Sequence, residues 1–274
     1  MRVAMFGLGE AGTLFALDLI KAGVDVTGFD PAPVATPSGV TRFADPASAV
    51  RDADLVIALT ASADAVGAVN QALAEIPATA LYADLSTSSP AVKQELARIA
   101  AGRELEFVDV ALMAVVPGRG LRTPALAAGT GAHRYVATMS PLGVPVEAVG
   151  ERAGDAALRK LLRSVMMKGL AALVIEAMRA AESAGLSEWL WGNLVEEITA
   201  ADEALLARLV NGTQPHARRR LHEMEACEAL LGELGIDAVM TRSTVETLRR
   251  IPNELLPVLP LSGRDQTDTP RSAQ

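Results

Sequence analysis

Three glycines near the start of the chain are spaced to hold a phosphate group. They form the pattern G-x-G-x-x-G, which follows an apolar run at 3–6 and leads into a helical pattern at 14–22. Glycines at these positions permit a tight turn, close approach of the backbone to a pyrophosphate, and close packing of helix on strand. The positive end of the helix dipole points at the same phosphates. The sequence therefore predicts dinucleotide binding by Gly7, Leu8, Gly9, Glu10, Ala11 and Gly12.

An acidic residue at the end of the second predicted strand indicates which dinucleotide binds. Asp30 follows the apolar segment 25–29 and lies 18 residues after Gly12. An acid at this distance accepts hydrogen bonds from the hydroxyl groups of the adenosine ribose, and its charge repels a 2′-phosphate. Pro31 follows where an arginine would favour NADP. We therefore predict NAD as the preferred cofactor, with NADP possible.

Lys168 is the candidate for proton transfer. It lies between Val165-Met166-Met167 and Gly169-Leu170-Ala171 within a strongly apolar helical pattern. Burial lowers the pKa of an amine because the charged form loses hydration, and such an amine exchanges protons near neutral pH. The alternative is a surface lysine whose alkyl chain covers apolar neighbours while its charge stays in water.

Strands and helices that could position these residues alternate in the first half of the chain. Continuous apolar runs at 55–59, 80–85 and 106–110 predict strands buried on both faces, and 90–100 predicts a helix. Two more strands are predicted at 135–139 and 144–149. This alternation predicts an α/β fold, with a doubly wound, mostly parallel sheet of Rossmann type over residues 1–150. The cofactor crevice then lies at the carboxyl ends of the strands, beside the loops that carry Thr60, Ser86 and Thr87.

The second half of the chain is predicted to be an all-α domain, residues 151–261, for substrate binding and dimerisation. Helical patterns cover 155–185, 187–210 and 215–235. Gly185 and Gly235 stand where helices end. The polar segment 262–274 has no periodicity and is expected to be a mobile tail.

Composition narrows the classes of partner. Net charge is −8, and half of the residues are hydrophobic although only 3% are aromatic. A protein with a net negative charge is repelled by nucleic acid and by anionic membranes, so neither is expected as a partner. The single cysteine and the absence of H-x-x-H or H-E-x-x-H patterns predict no metal site. The first strand begins at once and no apolar run spans a bilayer, so a cytoplasmic location is expected.

Four segments resemble the β-hydroxyacid dehydrogenase superfamily, which includes 3-hydroxyisobutyrate dehydrogenase, 6-phosphogluconate dehydrogenase and the imine reductases. They are the glycine loop, the D-x-S-T-x-x-P segment at 84–90, the segment starting at Asp109, and the helix containing Lys168. The resemblance implies that Ser86 and Thr87 lie beside the nicotinamide ribose, that Lys168 is the general acid or base, and that the protein is a homodimer. The segments 163–169 and 218–225 resemble a phosphogluconate dehydrogenase-like branch.

The substrate loop departs from the family pattern. Where the family reads D-x-P-V-S-G-G, this chain has Asp109-Val110-Ala111-Leu112-Met113-Ala114-Val115, so Met113 replaces the substrate-binding serine. Ala172 stands where the family often has asparagine four residues after the lysine. Arg119 and Arg122 follow in a loop, and Arg219 belongs to a basic cluster at 216–222. These arginines predict a small anionic substrate, unless they are ordinary solvated side chains.

The sequence therefore predicts an NAD(P)-dependent oxidoreductase. Its substrate would be a hydroxy acid or a sugar-acid-like molecule, with Lys168 moving the proton. Two alternatives stay open: an imine reductase-like enzyme that acts on C=N bonds, and a dinucleotide-binding protein without catalysis.

Overall fold

An eight-stranded sheet organises the first part of the chain. The structure is a computed structural model that describes residues 1–260, so the predicted tail at 262–274 lies outside the described residues. The strands are β1 (Arg2–Phe6), β2 (Asp25–Phe29), β3 (Thr41–Arg42), β4 (Leu55–Ala58), β5 (Leu81–Asp84), β6 (Glu106–Leu112), β7 (Ala125–Ala128) and β8 (Val146–Gly150). Their order in the sheet is β3-β2-β1-β4-β5-β6-β7-β8. Only the β6–β7 pair is antiparallel among the described strands, which confirms the predicted doubly wound, mostly parallel sheet.

Helices cover both faces of this sheet. They are α1 (Glu10–Lys21), α2 (Pro46–Val50), α3 (Ala65–Ala72), α4 (Pro90–Ala101) and α5 (Ala132–Met139). In β1, Val3 and Met5 pack into one apolar cluster with Phe15 of α1, while Ala4 and Phe6 pack into a second cluster on the opposite face. Because successive side chains of a strand point to opposite faces, a continuous apolar run is what a doubly covered strand requires.

The direction of chain progression reverses beside β1. The chain passes from β1 outward to β2 and β3, and then returns to the other side of β1 with β4. A reversal of this kind opens a crevice at the carboxyl ends of the strands, where ligands bind in open α/β sheets. The glycine loop after β1 and the loops after β2, β4, β5 and β6 all begin at this edge.

Five helices make up most of the described residues from 155 to 250, as predicted. The helices are α6 (Asp155–Ser183), α7 (Ser187–Thr199), α8 (Glu203–Asn211), α9 (Ala217–Glu233) and α10 (Val239–Arg250). Gly185 and Gly235 follow α6 and α9 with positive φ values of 71° and 72°, the left-handed conformation typical of a helix C-terminus. The chain divides into two compact units, Met1–Val165 and the part from Met166 onward, and the division falls within α6. Within residues 1–260, no helix is both long and apolar enough to cross a membrane.

The predicted strand at 135–139 is wrong, because these residues lie in α5. Tyr, Val and Thr favour strands, which suggested β structure from the local composition. The buried residues of α5 are Ala132, Tyr135 and Met139, which share one face of the helix. The helical spacing of the apolar residues, rather than the local propensity, therefore decides the conformation.

The predicted single helix at 187–210 is in fact two helices, α7 and α8. The chain leaves the helical path after Thr199, and Asp202 begins the next helix. The Asp202 carboxylate accepts a hydrogen bond of 2.8 Å from the amide of Leu205. This is the ordinary N-cap arrangement, in which a side-chain oxygen satisfies an amide that has no partner within the helix.

Candidate functional site

The glycine loop is shaped by two glycines and left open at the third. A Cβ atom on Gly7 would lie 2.5 Å from the carbonyl oxygen of Leu59, and one on Gly12 would lie 1.9 Å from the carbonyl oxygen of Gly7. Gly7 also has a φ of +89°. A Cβ atom on Gly9 would meet no atom within 4 Å. The fold thus requires Gly7 and Gly12, whereas the space at Gly9 is free for a ligand.

A cleft of about 480 Å³ opens beside this loop at the carboxyl edge of the sheet. The residues lining it include Gly7, Gly9, Asp30, Thr60, Ala61 and Asp64. The Oγ1 atom of Thr60 is buried and has no hydrogen-bond partner among the described residues. Of the other predicted contacts, Leu8 is buried, while Glu10 and Ala11 form the start of α1. An open space at Gly9 and an unsatisfied hydroxyl group at Thr60 fit a dinucleotide lying along this edge.

Asp30 links the glycine loop to the loop after β2. Its Oδ2 accepts a hydrogen bond of 2.7 Å from the amide of Leu8, and its Oδ1 accepts one of 2.8 Å from the amide of Ala32. Arg42, which the sequence reasoning did not single out, donates to the carbonyl groups of Asp30, Ala32 and Val34. Asp30 therefore presents a fixed carboxylate to the cleft, and the Arg42 guanidinium holds the backbone beside it.

The loop after β5 carries one buried and one exposed hydroxyl group. Ser86 is buried, and its Oγ donates to Asp84 Oδ2 at 2.7 Å and lies 2.8 Å from Ser88 Oγ. Thr87 is exposed, and its Oγ1 accepts a hydrogen bond of 2.9 Å from the Nζ atom of Lys160. Both residues were predicted to lie beside the nicotinamide ribose. The Ser86 hydroxyl group instead bonds to buried protein groups, whereas Thr87 faces outward.

Lys160 was missed by the sequence reasoning. It lies on the first part of α6, within the unit Met1–Val165 that contains the glycine loop and the cleft. The available signal was the scarcity of lysine, because only four of the 25 Lys and Arg residues are lysines. Two of these four, Lys93 and Lys160, make hydrogen bonds to the segment 84–87.

Asp84, Lys93 and Asp109 form a buried ionic group behind this loop. The Lys93 side chain is 1% exposed and the two carboxylates are fully buried. Lys93 Nζ lies 2.6 Å from Asp84 Oδ2 and 3.3 Å from Asp109 Oδ1, and it donates a third contact of 2.8 Å to the Asp84 carbonyl oxygen. Burial and the negative charge of Asp84 raise the pKa of the nearby Tyr82 phenol.

The predicted substrate loop is fastened to α1. The amide of Leu121 donates a hydrogen bond of 3.1 Å to Asp18 Oδ2. Burial raises the pKa of Asp18, but hydrogen bonds from Lys21 and from the Leu121 amide outweigh it, so the pKa lies below its usual value. Met113 donates its amide hydrogen to the Pro124 carbonyl group at the other end of the loop. Arg119 and Arg122 are exposed.

The remaining predicted site residues lie in the unit that begins at Met166. Lys168 is exposed on α6, and Arg219 is exposed on α9 with its guanidinium 3.9 Å from the Glu223 carboxylate. Glu176, also on α6, caps the start of α10. Its carboxylate accepts hydrogen bonds from the amides of Met240 and Thr241 and from the Thr241 hydroxyl group, at 2.7 to 2.9 Å.

The sheet order, the glycine loop and the open cleft define a dinucleotide-binding protein of the Rossmann type. Residues 2–118 match the family described as the NAD binding domain of 6-phosphogluconate dehydrogenase, and residues 181–251 match a domain of unknown function, DUF1932. The N-terminal part of the chain thus carries an NAD(P)-binding domain of the kind found in 6-phosphogluconate dehydrogenase, in agreement with the resemblance.

The chain is also similar to individual proteins. The chain is 26% identical over 257 residues to an uncharacterized 28.5 kDa protein of Methanothermus fervidus. The aligned region covers 92% of this chain and 99% of the relative. It is 29% identical to a probable 3-hydroxyisobutyrate dehydrogenase of Mycobacterium tuberculosis over 194 residues, 68% of this chain and 65% of the relative. A reductive aminase from Aspergillus terreus, solved with NADPH and ethyl levulinate, shares the fold with a TM-score of 0.77 and 22% identity, covering 91% of this chain and 92% of the other.

Proposed function

We propose that the protein is an NAD(P)-dependent oxidoreductase of the β-hydroxyacid dehydrogenase type, acting on a hydroxy acid or a sugar-acid-like substrate. The observation that carries the proposal is the contact between Lys160 and Thr87, which holds an amine at the loop after β5, on the same carboxyl edge of the sheet as the glycine loop. When bound, the nicotinamide would accept or supply the hydride. The residues of the chain then have to bind and orient the substrate and move one proton.

A lysine of α6 is the group proposed to move that proton. The sequence predicts Lys168, whereas the contact with Thr87 favours Lys160, and we propose Lys160 for this role with Lys168 as the alternative. Thr87 Oγ1 accepts from the Lys160 ammonium and so orients it at the loop edge. A cation held in this way also stabilises negative charge that develops on the substrate oxygen. Comparing variants of the two lysines decides between the assignments.

The proposed cofactor preference is for NAD(H). A fixed carboxylate at Asp30 accepts hydrogen bonds from ribose hydroxyl groups and repels a 2′-phosphate. The Arg42 guanidinium nearby is already occupied by three carbonyl groups, which leaves it poorly placed to bind a phosphate. The Aspergillus reductive aminase was solved with NADPH, so NADP(H) is the competing choice.

A second candidate function is the reduction of C=N bonds. Met113 gives the end of β6 an apolar, half-buried side chain where the family pattern has a serine. A thioether offers only a weak hydrogen-bond acceptor, and it suits a less polar substrate such as a cyclic imine. The fold shared with the reductive aminase is compatible with this alternative.

The substrate of the leading candidate is proposed to be anionic. Arg119 and Arg122 lie exposed on the loop after β6, and Arg219 is exposed at the start of α9. A guanidinium group binds a carboxylate through two parallel hydrogen bonds. Replacing Arg219 with alanine should then raise KM by roughly tenfold or more, which corresponds to about 1.4 kcal/mol. An unchanged KM would leave Arg219 as the solvated partner of Glu223.

Turnover of NADH and NADPH by the full-length protein tests the proposal. The substrates to compare are 3-hydroxy acids, aldonic acids and their oxidised forms, and cyclic imines. Preferred turnover of a hydroxy acid supports the leading function, and preferred turnover of an imine supports the second. Tight cofactor binding without turnover of any class would point to a dinucleotide-binding protein without catalysis.

The protein is further proposed to be a homodimer. In the unit that begins at Met166, neither α7 nor α8 has a buried residue, and Trp189 and Trp191 are exposed. Apolar side chains in such numbers on a surface indicate a protein interface. Light scattering at micromolar concentration should give twice the chain mass of 28.6 kDa. A monomer under these conditions would contradict the proposal.

A further inference from the structure

Two buried carboxylates lie side by side at the carboxyl edge of the sheet. Asp84 ends β5, Asp109 lies in β6, and the two residues are direct neighbours in the parallel pairing of these strands. Neither side chain is exposed. Like charges on adjacent strands repel, and burial strengthens the repulsion because water no longer screens it. This pair therefore needs a cation between its members.

Lys93 of α4 supplies that cation from within the core. Its ammonium has three hydrogens and three oxygen neighbours, namely Asp84 Oδ2, the Asp84 carbonyl oxygen and Asp109 Oδ1. Asp109 Oδ1 accepts no hydrogen bond from the described residues, so the Lys93 ammonium at 3.3 Å offsets its charge through an ion-pair contact. Removal of Lys93 would leave two adjacent buried carboxylates, a much larger cost than the loss of a surface ion pair.

Each carboxylate also holds a segment of the candidate site. Asp84 Oδ2 accepts from the Ser86 hydroxyl group, which fixes the loop that carries Thr87. Asp109 Oδ2 accepts from the amides of Gly154 and Ala157, at 3.1 and 2.9 Å. These amides belong to the N-terminus of α6, so Asp109 caps that helix from a neighbouring strand.

The two segments meet again at the surface, where Lys160 of α6 contacts Thr87 of the loop. The loop and the start of α6 are therefore connected in two ways. In the core, Lys93 links them through Asp84 and Asp109. At the surface, Thr87 links them through its contact with Lys160. All of these residues lie in the unit Met1–Val165. A shift of Lys93 would move the loop and the start of α6 relative to each other.

We propose that Lys93 is a positioning residue that sets the contact between Thr87 and Lys160 by holding Asp84 and Asp109 together. The predicted effect on kcat rests on the proposed function, whereas the predicted effect on the Thr87–Lys160 contact does not. Lys93 itself is buried and does not reach the cleft, so it acts through the two carboxylates. Its loss should lower kcat and leave the binding of the dinucleotide nearly unchanged.

The first test measures amide hydrogen exchange and needs no substrate. Lys93→Met should speed exchange of the Gly154 and Ala157 amides and of the loop at 85–88 at least tenfold. Arg98→Met is the matched control, because Arg98 lies on the same helix and forms an exposed pair with Glu95. Wild-type exchange in a folded Lys93→Met protein, or the same change in Arg98→Met, would overturn the proposal.

If Lys93→Met does not fold, the same exchange measurement is made on two other variants, Lys93→Arg and Asp109→Asn. Lys93→Arg keeps the charge but alters the geometry, and Asp109→Asn keeps the shape but removes one carboxylate. Both should speed exchange at Gly154 and Ala157. Unaltered exchange in both variants would overturn the proposal.

The second test is a double-mutant cycle on turnover. If Lys93 acts through the Thr87–Lys160 contact, Lys93→Arg should lower kcat at least tenfold in the wild-type background and much less when Thr87 is replaced by Val. KM for the cofactor should change less than threefold throughout. Equal losses in both backgrounds would overturn the link to Lys160. If wild-type protein turns over no substrate, the proposed function fails, and the exchange measurements still decide the structural part.

Discussion

Lys160 and Thr87 lie 73 residues apart in the sequence, and the Nζ atom of one is 2.9 Å from the Oγ1 atom of the other. Thr87 belongs to the loop after β5, while Lys160 comes from the first part of α6. The only lysine that the sequence selected for chemistry, Lys168, follows eight residues later on the same helix. The boundary between the two compact units falls between these two lysines.

Substitution of each α6 lysine should therefore have different effects. We expect Lys160→Ala to lower turnover by roughly 10²–10⁴-fold, the range for a general acid or base, with the dissociation constant of the cofactor nearly unchanged. Steady-state kinetics on the preferred substrate measures this. A near-normal Lys160→Ala enzyme with a strongly impaired Lys168→Ala enzyme would reverse the assignment in favour of the sequence prediction.

Replacing Asp30 should change the choice between the two cofactors. Asp30→Ser removes the charge that repels a 2′-phosphate and the acceptor that holds the Leu8 amide. The ratio of NADPH to NADH affinity should rise about tenfold or more, corresponding to about 1.4 kcal/mol. Fluorescence titration with both cofactors checks this. Asp52→Asn, an exposed carboxylate paired with Arg2, serves as the control. Equal affinity of the wild-type protein for NADPH and NADH would contradict the predicted preference.

Alanine at two glycines of the same loop should separate folding from binding. Gly9→Ala meets open space, so its melting temperature should match wild type while NADH binding weakens at least tenfold, by about 1.4 kcal/mol. Gly12→Ala places a Cβ atom 1.9 Å from the Gly7 carbonyl oxygen. Overpacking costs about 1–3 kcal/mol, and each kcal/mol lowers Tm by about 2–4 °C in a protein of this size. Unchanged NADH binding by Gly9→Ala would show that the cofactor does not bind against this loop.

The acid stability of the helical unit should depend on Glu176. Burial raises the pKa of Glu176, but hydrogen bonds from Thr241 and from the Met240 amide outweigh it, and the pKa lies below its ordinary value of 4.5. The unfolded chain therefore binds this proton more readily than the folded chain does. Stabilisation by Glu176 is present above the unfolded pKa and is lost as the pH falls through the folded pKa.

Glu176→Gln measures this contribution. The variant should lose about 1–3 kcal/mol at neutral pH, where the carboxylate makes charge-assisted hydrogen bonds, and should approach wild type in acid. Melting temperatures between neutral and acidic pH give the comparison. Glu182→Gln, an exposed carboxylate on the same helix, is the control. A constant difference from wild type across this range would show that the charge of Glu176 plays no part.

The sequence was informative where burial alone determines the structure. Strands β1, β4 and β5 are continuous apolar runs, and such runs are stable only between two layers of helices. The glycine loop was equally clear, because a tight turn and close packing restrict the residue type at Gly7 and Gly12. By contrast, the segment 135–139 is rich in residues that favour strands, and only its tertiary packing shows that it is helical.

The parts of the site that the sequence did not reveal depend on contacts between distant segments. Nothing in the local pattern around Lys93 shows that it lies between Asp84 and Asp109, since strand pairing brings the two acids together. The contact of Lys160 with Thr87 likewise requires the start of α6 to lie beside the loop after β5. Residues that act through partners in other elements become visible only when the fold is known.

The anchoring of Leu121 by Asp18 has a consequence for chimeric proteins. The N-terminal end of α1 faces the dinucleotide cleft, and its other half carries the carboxylate that holds the loop at 113–124, across a separation of 103 residues. The first 22 residues therefore cannot be exchanged without also affecting the substrate loop. A chimera that exchanges them for those of a homologue without an acceptor at position 18 would keep the cofactor preference set by Asp30 but lose the attachment of its substrate loop.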